Sequence, residues 1–524
     1  MKRPMNRILL SFALASAVNL APAAVPVKKP KLVLAVVIDQ FRYDYLNRFR
    51  KDYSAGFVRL FEHGAVFTDA HHVHFPTVTA VGHSTFLSGA TPSISGIVAN
   101  DWYDRETGKR VTSVSDESVK LLGGAPNKIG SSPRKLLVST IGDELKMQGR
   151  QSKVIGVSIK DRSAILPGGH MADGAYWYDD TAHAWVSSTY YGPDLPQWVK
   201  DVNLSKGYEK YAQSVWLPVD APAGTKPFCS MMRSADARYC GSIDATPWGN
   251  ELIESFAEQA IAAEKLGQHD DTDILAVSFS ANDYVGHALG PDSPEVRDIS
   301  IRTDRILGKL LDYVDKQVGE GNTLMVLTAD HGVTPVPELN QARRMLGGRL
   351  SEEAMNQAIE TTLSAKYGEG KWVIGRSGPT PYLNYDLVAS KKLDEGEVER
   401  TAADAIRRMP HVFRVYTREQ LLSGQLLEDY VSVAVRNGFY RQRSGDLFVI
   451  PEAYYIFDKP PGTSHGTPFN YDTHVPIIFM GPGIKAGEYY GHVAVNDIAP
   501  TLAALLGIEE PSGSVGRVLS EILQ

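Results

Sequence analysis

Cysteine is nearly absent from this sequence: 524 residues contain only Cys229 and Cys240. Two thiols cannot complete a thiolate zinc site, so any metal here would rest on imidazole and carboxylate. A surplus of basic residues is missing too, with 54 Lys and Arg against 61 Asp and Glu and a net charge of −7. A mildly acidic chain gains nothing from counterion release on a phosphate backbone, so nucleic acid is not an expected partner. Beyond the first residues no stretch approaches the ~20 apolar residues a spanning helix needs, and no membrane span is expected. Internal repeats and low-complexity tracts are also absent.

What is present begins with an export signal. Lys2, Arg3 and Arg7 form a basic start, residues 8–14 an apolar stretch and residues 21–24 a small-residue cleavage region. The apolar stretch is too short to cross a ~30 Å hydrocarbon core. Residues 1–24 therefore read as a signal peptide, and the mature chain as exported, periplasmic or secreted. In an oxidising compartment Cys229 and Cys240, close together in a polar region, are expected to form a small-loop disulfide. The sequence carries no signal of oligomeric state, and a monomer is the starting expectation.

Short, continuously apolar runs bounded by turn residues recur at 32–38, 154–159, 274–279, 324–327 and 475–480. Such runs suit strands buried on both faces of a parallel sheet. Helical patterns lie between them. One starts at Ser132-Pro133 and carries Leu136, Leu137, Ile141 and Leu145. A second carries Leu252, Ile253, Phe256 and Ile261, and a third starts at Ser293-Pro294. The alternation predicts an α/β fold, a mostly parallel, doubly wound sheet with helices on both faces. Two stretches break the rhythm: 163–245, rich in Tyr, Trp, Gly and Pro, and 345–455, which mixes a charged helix at 395–408 with short strands. Both read as inserts dividing a core of residues 30–162, 246–344 and 456–524.

Chemistry-bearing residues follow the strands. Asp39 ends the first run; Asp283 and His287 follow the third in Ser280-Ala-Asn-Asp-Tyr-Val-Gly-His287. Asp330 and His331 follow the fourth in Thr328-Ala-Asp-His-Gly332, and His465 precedes the last. Ligands bind beyond the carboxyl ends of strands in such sheets. One Asp there is commonly a cap or turn former, but three Asp and three His together point to metal. Without thiolate, Zn²⁺ with open positions fits, as do Mn²⁺ and Fe. The segment Phe75-Pro-Thr-Val-Thr-Ala-Val-Gly-His-Ser84 leads into an apolar helix, where a hydroxyl would meet a phosphate at the positive helix end. Thr77, Thr79, Ser84 and Thr85 are equally eligible on chemistry.

These motifs, with Asn100-Asp-Trp102 and Lys160-Asp-Arg162, resemble the alkaline phosphatase superfamily near its nucleotide pyrophosphatase/phosphodiesterase branch. Within it, the chain is most similar to phosphate-irrepressible alkaline phosphatases of the PafA type, which use a threonine nucleophile. The resemblance spans nearly the whole mature chain. It implies an alkaline-phosphatase-like core and selects Thr79 as nucleophile. It implies two Zn²⁺, one on Asp283, His287 and His465, the other on Asp39, Asp330 and His331 beside Thr79. Asn100, Lys160 and Arg162 match positions that contact phosphoryl oxygens; His83 matches the motif without an assigned role. The Cys-x-Pro-x-Arg signature of sulfatases is absent.

The expected activity is hydrolysis of small-molecule phosphate monoesters through a phosphothreonine. A monoester carries up to two negative charges and a diester one, so two added cations favour the monoester. A nucleotide pyrophosphatase/phosphodiesterase on the same two-metal site is the alternative. A non-catalytic metal-binding protein is the third, and chelator-sensitive turnover would exclude it.

Overall fold

Seven consecutive apolar residues, Leu32–Ile38, are buried on both faces because the strand they form, β1, lies inside an eleven-stranded sheet. The computed structural model describes residues 28–126, 128–149, 151–233 and 237–524; the export signal lies outside them. The other strands of this sheet are β2 (Ala65–His71), β3 (Ser115–Leu122), β4 (Ile129–Ser131), β5 (Val154–Ser158) and β6 (Gly174–Asp179). They continue with β7 (Ala184–Ser188), β8 (Asp273–Phe279), β9 (Thr323–Thr328), β10 (Ile477–Met480) and β11 (Gly487–Ala494). Their order across the sheet is β11-β2-β10-β9-β1-β8-β5-β6-β7-β3-β4.

The five middle strands, β9-β1-β8-β5-β6, are parallel throughout. Each side chain in these apolar runs stabilises the fold by roughly 1.5–3 kcal/mol on full burial. Outward from this centre the pairing turns antiparallel at β10 and at β7. For β7 the cause is local: a short turn after β6 permits only a hairpin, whereas a parallel return needs a crossover. The outer pair β2 and β11 is parallel again. Among the described residues no helix is long and apolar enough to cross a membrane.

One sequence expectation is corrected. The helix expected from Ser132-Pro133 begins at Ile141 instead, in the element Ile141–Met147. There Thr140 Oγ1 accepts from the Asp143 N–H at 3.3 Å and Asp143 Oδ2 accepts from the Thr140 N–H at 2.9 Å. This reciprocal cap fixes the start, and Leu137, counted on the apolar face, is exposed. Within residues 163–245, β6 and β7 extend the main sheet. Cys229 and Cys240 in this stretch are joined by a disulfide. Within residues 345–455 lies an apolar cluster that includes Met355, Leu363, Trp372, Ile406 and Val449.

Candidate active site

Four adjacent parallel strands end in polar residues that meet at one edge of the sheet. Asp39 follows β1, Lys160 follows β5, and Asp330 and His331 follow β9. After β8 the chain enters the helix Ala281–Leu289, whose period puts Asp283 and His287 on one face. Asp283 Oδ1 and His287 Nε2 are 3.2 Å apart. His465 arrives on the irregular segment before β10, and its ring stacks on that of His331 with centroids 3.5 Å apart. All six residues proposed as metal ligands therefore converge.

The hydrogen bonds of the three imidazoles decide what this cluster can hold. Each Nδ1 faces a backbone carbonyl: His287 that of Thr463 at 2.9 Å, His331 that of Gly332 at 2.9 Å, His465 that of Thr77 at 2.8 Å. A carbonyl accepts only, so in each neutral ring the proton sits on Nδ1 and Nε2 keeps its lone pair. The Nε2 atoms of His287 and His465 are 3.2 Å apart, close to the ~3.3 Å spanned by two nitrogens on a tetrahedral zinc. His331 Nε2 faces Asp39 Oδ1 at 3.6 Å and Asp330 Oδ2 at 3.4 Å. Both of those oxygens are buried without a hydrogen bond. Lone pairs converging without protons between them fit divalent cations, with imidazole and carboxylate as the donor set.

With no cation between them the buried groups compete for protons: burial lowers His287, but the neighbouring Asp283 outweighs it and raises the ring above the ordinary histidine value. Burial, then the neighbouring Asp330, pushes the Asp39 carboxyl well above the usual range, against the pull of Lys160. For Asp283 burial also raises the value, but His287 and Lys160 outweigh it and hold the carboxyl well below that range. Burial, with His331 and His287 beside it, holds His465 neutral.

Thr79 opens the helix Thr79–Ser88, every residue of which is buried. Its Oγ1 lies 3.4 Å from His331 Nε2. Gly82, one turn on, permits this: a Cβ there would stand 2.1 Å from the Asp330 carbonyl oxygen. The helix thus packs its backbone against the strand end that carries two ligands. Asn100 Oδ1 accepts from the Ala80 N–H at 2.8 Å, leaving its NH₂ end for the cavity it lines. That cavity, about 340 Å³, reaches His287 and His465 and is walled on the far side by Ser377 to Thr380 of the 345–455 lobe.

Lys160 and Arg162 differ in position. Lys160 is buried, and its Nζ bridges Asp39 Oδ2 and Asp283 Oδ2 at 2.6 Å each. Arg162 is half-buried, 3.9 Å from Asp161, and its Nε is buried without a partner.

A family model described as type I phosphodiesterase / nucleotide pyrophosphatase matches residues 33–474. The chain belongs to that family. Alkaline phosphatase PhoV of Synechococcus elongatus is 39% identical across 95% of this chain and 94% of its own length. Alkaline phosphatase PafA of Elizabethkingia meningoseptica is 37% identical across 95% of each. The crystal structure of wild-type alkaline phosphatase PafA matches with a TM-score of 0.89 at 35% identity, covering 95% of this chain and 100% of that one.

Gln40 of this site escapes the sequence reading, and His83 stands there without a role. Gln40 holds a left-handed backbone, φ 62°, from which its N–H donates to Asp330 Oδ1 at 3.1 Å and its amide Nε2 to Asp283 Oδ1 at 2.6 Å. Gly286 makes room, since a Cβ there would lie 1.8 Å from Gln40 Oε1. His83 Nδ1 donates to the Thr79 carbonyl at 2.9 Å, and its Nε2 pairs with Ser278 Oγ at 2.8 Å. With its proton so used, His83 leaves Asp330 Oδ2, 3.2 Å away, unbonded. For His83 the signal was its place four residues after Thr79; for Gln40 there was none.

Proposed function

We propose that this chain is an exported, zinc-dependent phosphate monoester hydrolase of the alkaline phosphatase type, with Thr79 as nucleophile. The observation that carries the reading is Thr79 Oγ1 at a helix start, 3.4 Å from His331 Nε2, within a cluster whose imidazole lone pairs and carboxylates need cations. Asp283, His287 and His465 would hold one Zn²⁺; Asp39, Asp330 and His331 would hold the other. When bound, such ions lower the pKa of a hydroxyl or water and offset charge developing on phosphoryl oxygens.

The residues of the chain do the rest. Thr79 Oγ1 loses its proton to solvent and forms a bond to phosphorus while the ester P–O bond breaks in line. The departing alkoxide takes a proton from solvent and leaves as alcohol. Water then cleaves the phosphothreonine, restoring the Thr79 hydroxyl and releasing inorganic phosphate. Asn100 offers its NH₂ end to a phosphoryl oxygen. Arg162, with a buried Nε that has no partner, supplies the cation that favours a doubly charged monoester over a diester. Lys160 neutralises Asp39 and Asp283 and so acts between the two ligand sets.

A phosphodiesterase or nucleotide pyrophosphatase is the second reading, favoured by the description of the family model. The alkaline phosphatases matched over nearly full length favour the first. The export signal-like start and the Cys229–Cys240 disulfide support a periplasmic or secreted location. Thr79→Ala is expected to abolish turnover and the acid-stable phosphoryl label while zinc content is unchanged. Near-normal turnover in that variant would show that another group is the nucleophile.

A further inference from the structure

Two strands out from β9, on the outer pair β2 and β11 of the sheet, three more histidines gather round one carboxylate. Asp69 and His71 are two residues apart on β2, so they share a face. β11 lies alongside, and in its register His492 stands directly opposite Asp69. His474 forms an isolated antiparallel bridge with His71. Backbone pairing alone thus brings residues 69, 71, 474 and 492 to one patch, with no long side chain needed to reach it.

The side chains are arranged as a donor set. One donor atom each of Asp69, His71 and His474 lies within 4.8 Å of the others. The rings of His71 and His474 stack at 4.5 Å, and those of His71 and His492 at 5.2 Å. Asp69 accepts from His71 Nε2 at 2.9 Å and lies 3.2 Å from His492 Nδ1. His474 Nε2 donates to the Thr68 carbonyl at 3.0 Å, which fixes the tautomer and leaves Nδ1 with its lone pair. Stacking of Tyr43 on His474, at 4.5 Å, holds that ring in place.

We infer that Asp69, His71, His474 and His492 form a surface site for one divalent transition-metal ion of the Zn²⁺ class, separate from the catalytic cluster. Three imidazoles and a carboxylate are a borderline-soft donor set that suits Zn²⁺ or Cu²⁺ and disfavours Ca²⁺ or Mg²⁺. Asp69 either ligates the ion directly or orients His71 as a carboxylate–histidine pair. His492, with a side chain 65% exposed, can change rotamer to close the site. The ion would tie β2, β11 and the segment before β10 together. Those are the outer strands of the sheet, and a site there acts on stability rather than on chemistry.

Titrating the zinc-loaded enzyme with ZnCl₂ in a calorimeter tests this. The expected result is one further equivalent bound at micromolar zinc, accompanied by a higher Tm. The His71→Ala/His492→Ala double variant should lose that equivalent and the rise in Tm, with turnover of an aryl phosphate unchanged. Absence of the extra equivalent in the parent enzyme, or its persistence in the double variant, would overturn the inference. If the double variant does not fold, His492→Ala alone changes an exposed side chain and should weaken the site by about tenfold. Unchanged affinity there would equally overturn it.

Discussion

The Nε2 atoms of His287 and His465 sit 3.2 Å apart although 178 residues separate them in the chain. Each ring has already given its Nδ1 proton to a backbone carbonyl, so two lone pairs confront each other beside the Asp283 carboxylate. That arrangement is stable with a cation between the rings, or with an extra proton taken up in its place. A chelator should therefore reduce turnover to background and lower the Tm, and added zinc should restore both. Lower pH should weaken zinc binding, because protons compete for the same nitrogens. Full activity after exhaustive chelation, with metal content measured, would refute a catalytic role for the cluster.

Gly82 and Gly286 are expected to be intolerant of a single methyl group. Gly82→Ala would place a Cβ 2.1 Å from the Asp330 carbonyl oxygen and push the Thr79 helix off the strand end. A displacement of about 1 Å at a reacting group costs roughly hundredfold in kcat. Gly286→Ala would displace the Gln40 amide from Asp283, with a loss of about 10–100-fold in zinc affinity. Steady-state kinetics and zinc titration of the two variants separate these effects: Gly82→Ala should keep its zinc, and Gly286→Ala should not.

Much of this site was legible in the sequence, because a strand buried on both faces is an uninterrupted apolar run and its end is marked by the first polar residue. Asp39, Asp330 and His331 were found that way, and Asp283 with His287 by helical spacing. The aromatic stretch that yields β6 and β7 reads as an insert without strands of its own in the main sheet, although Tyr176, Trp177 and Trp185 are residue types that favour strands. Gln40 was invisible because its role depends on a left-handed φ and on Gly286 of another element. The partners of Lys160 were hidden for a similar reason: a Lys-Asp-Arg triplet usually lies in water, and only the fold carries this one inside.

Lys160 offers a fixed positive charge to both Asp39 and Asp283, at 2.6 Å from each. Lys160→Met should destabilise the zinc-free protein by about 3–5 kcal/mol, the cost of leaving buried charge unpaired. Zinc should recover most of that loss. Denaturant unfolding with and without zinc measures both; equal losses in the two states would contradict the role given to Lys160.

Asp244, outside the six ligands, supplies a pH test. Burial, then repulsion from Asp180, pushes its carboxyl up to about 6, and its Oδ1 has no hydrogen-bond partner. A carboxyl raised on folding favours the native state while protonated, so its contribution is present below about pH 4, the unfolded value, and fades as pH rises through about 6. Asp244→Asn mimics the protonated form. It should be more stable than the parent by about 1–2 kcal/mol at pH 8, with the gain shrinking toward pH 5. Urea midpoints at the two pH values check this; a variant less stable at pH 8 would contradict it.

The ratio of kcat/KM for an aryl phosphate to that for its methyl diester, on purified zinc-loaded protein, tests the monoesterase account most directly. The account expects a strong preference for the monoester that collapses in Arg162→Ala, through loss on the monoester with little change on the diester. A diester preference in the parent enzyme, or equal losses on both substrates in Arg162→Ala, would contradict it.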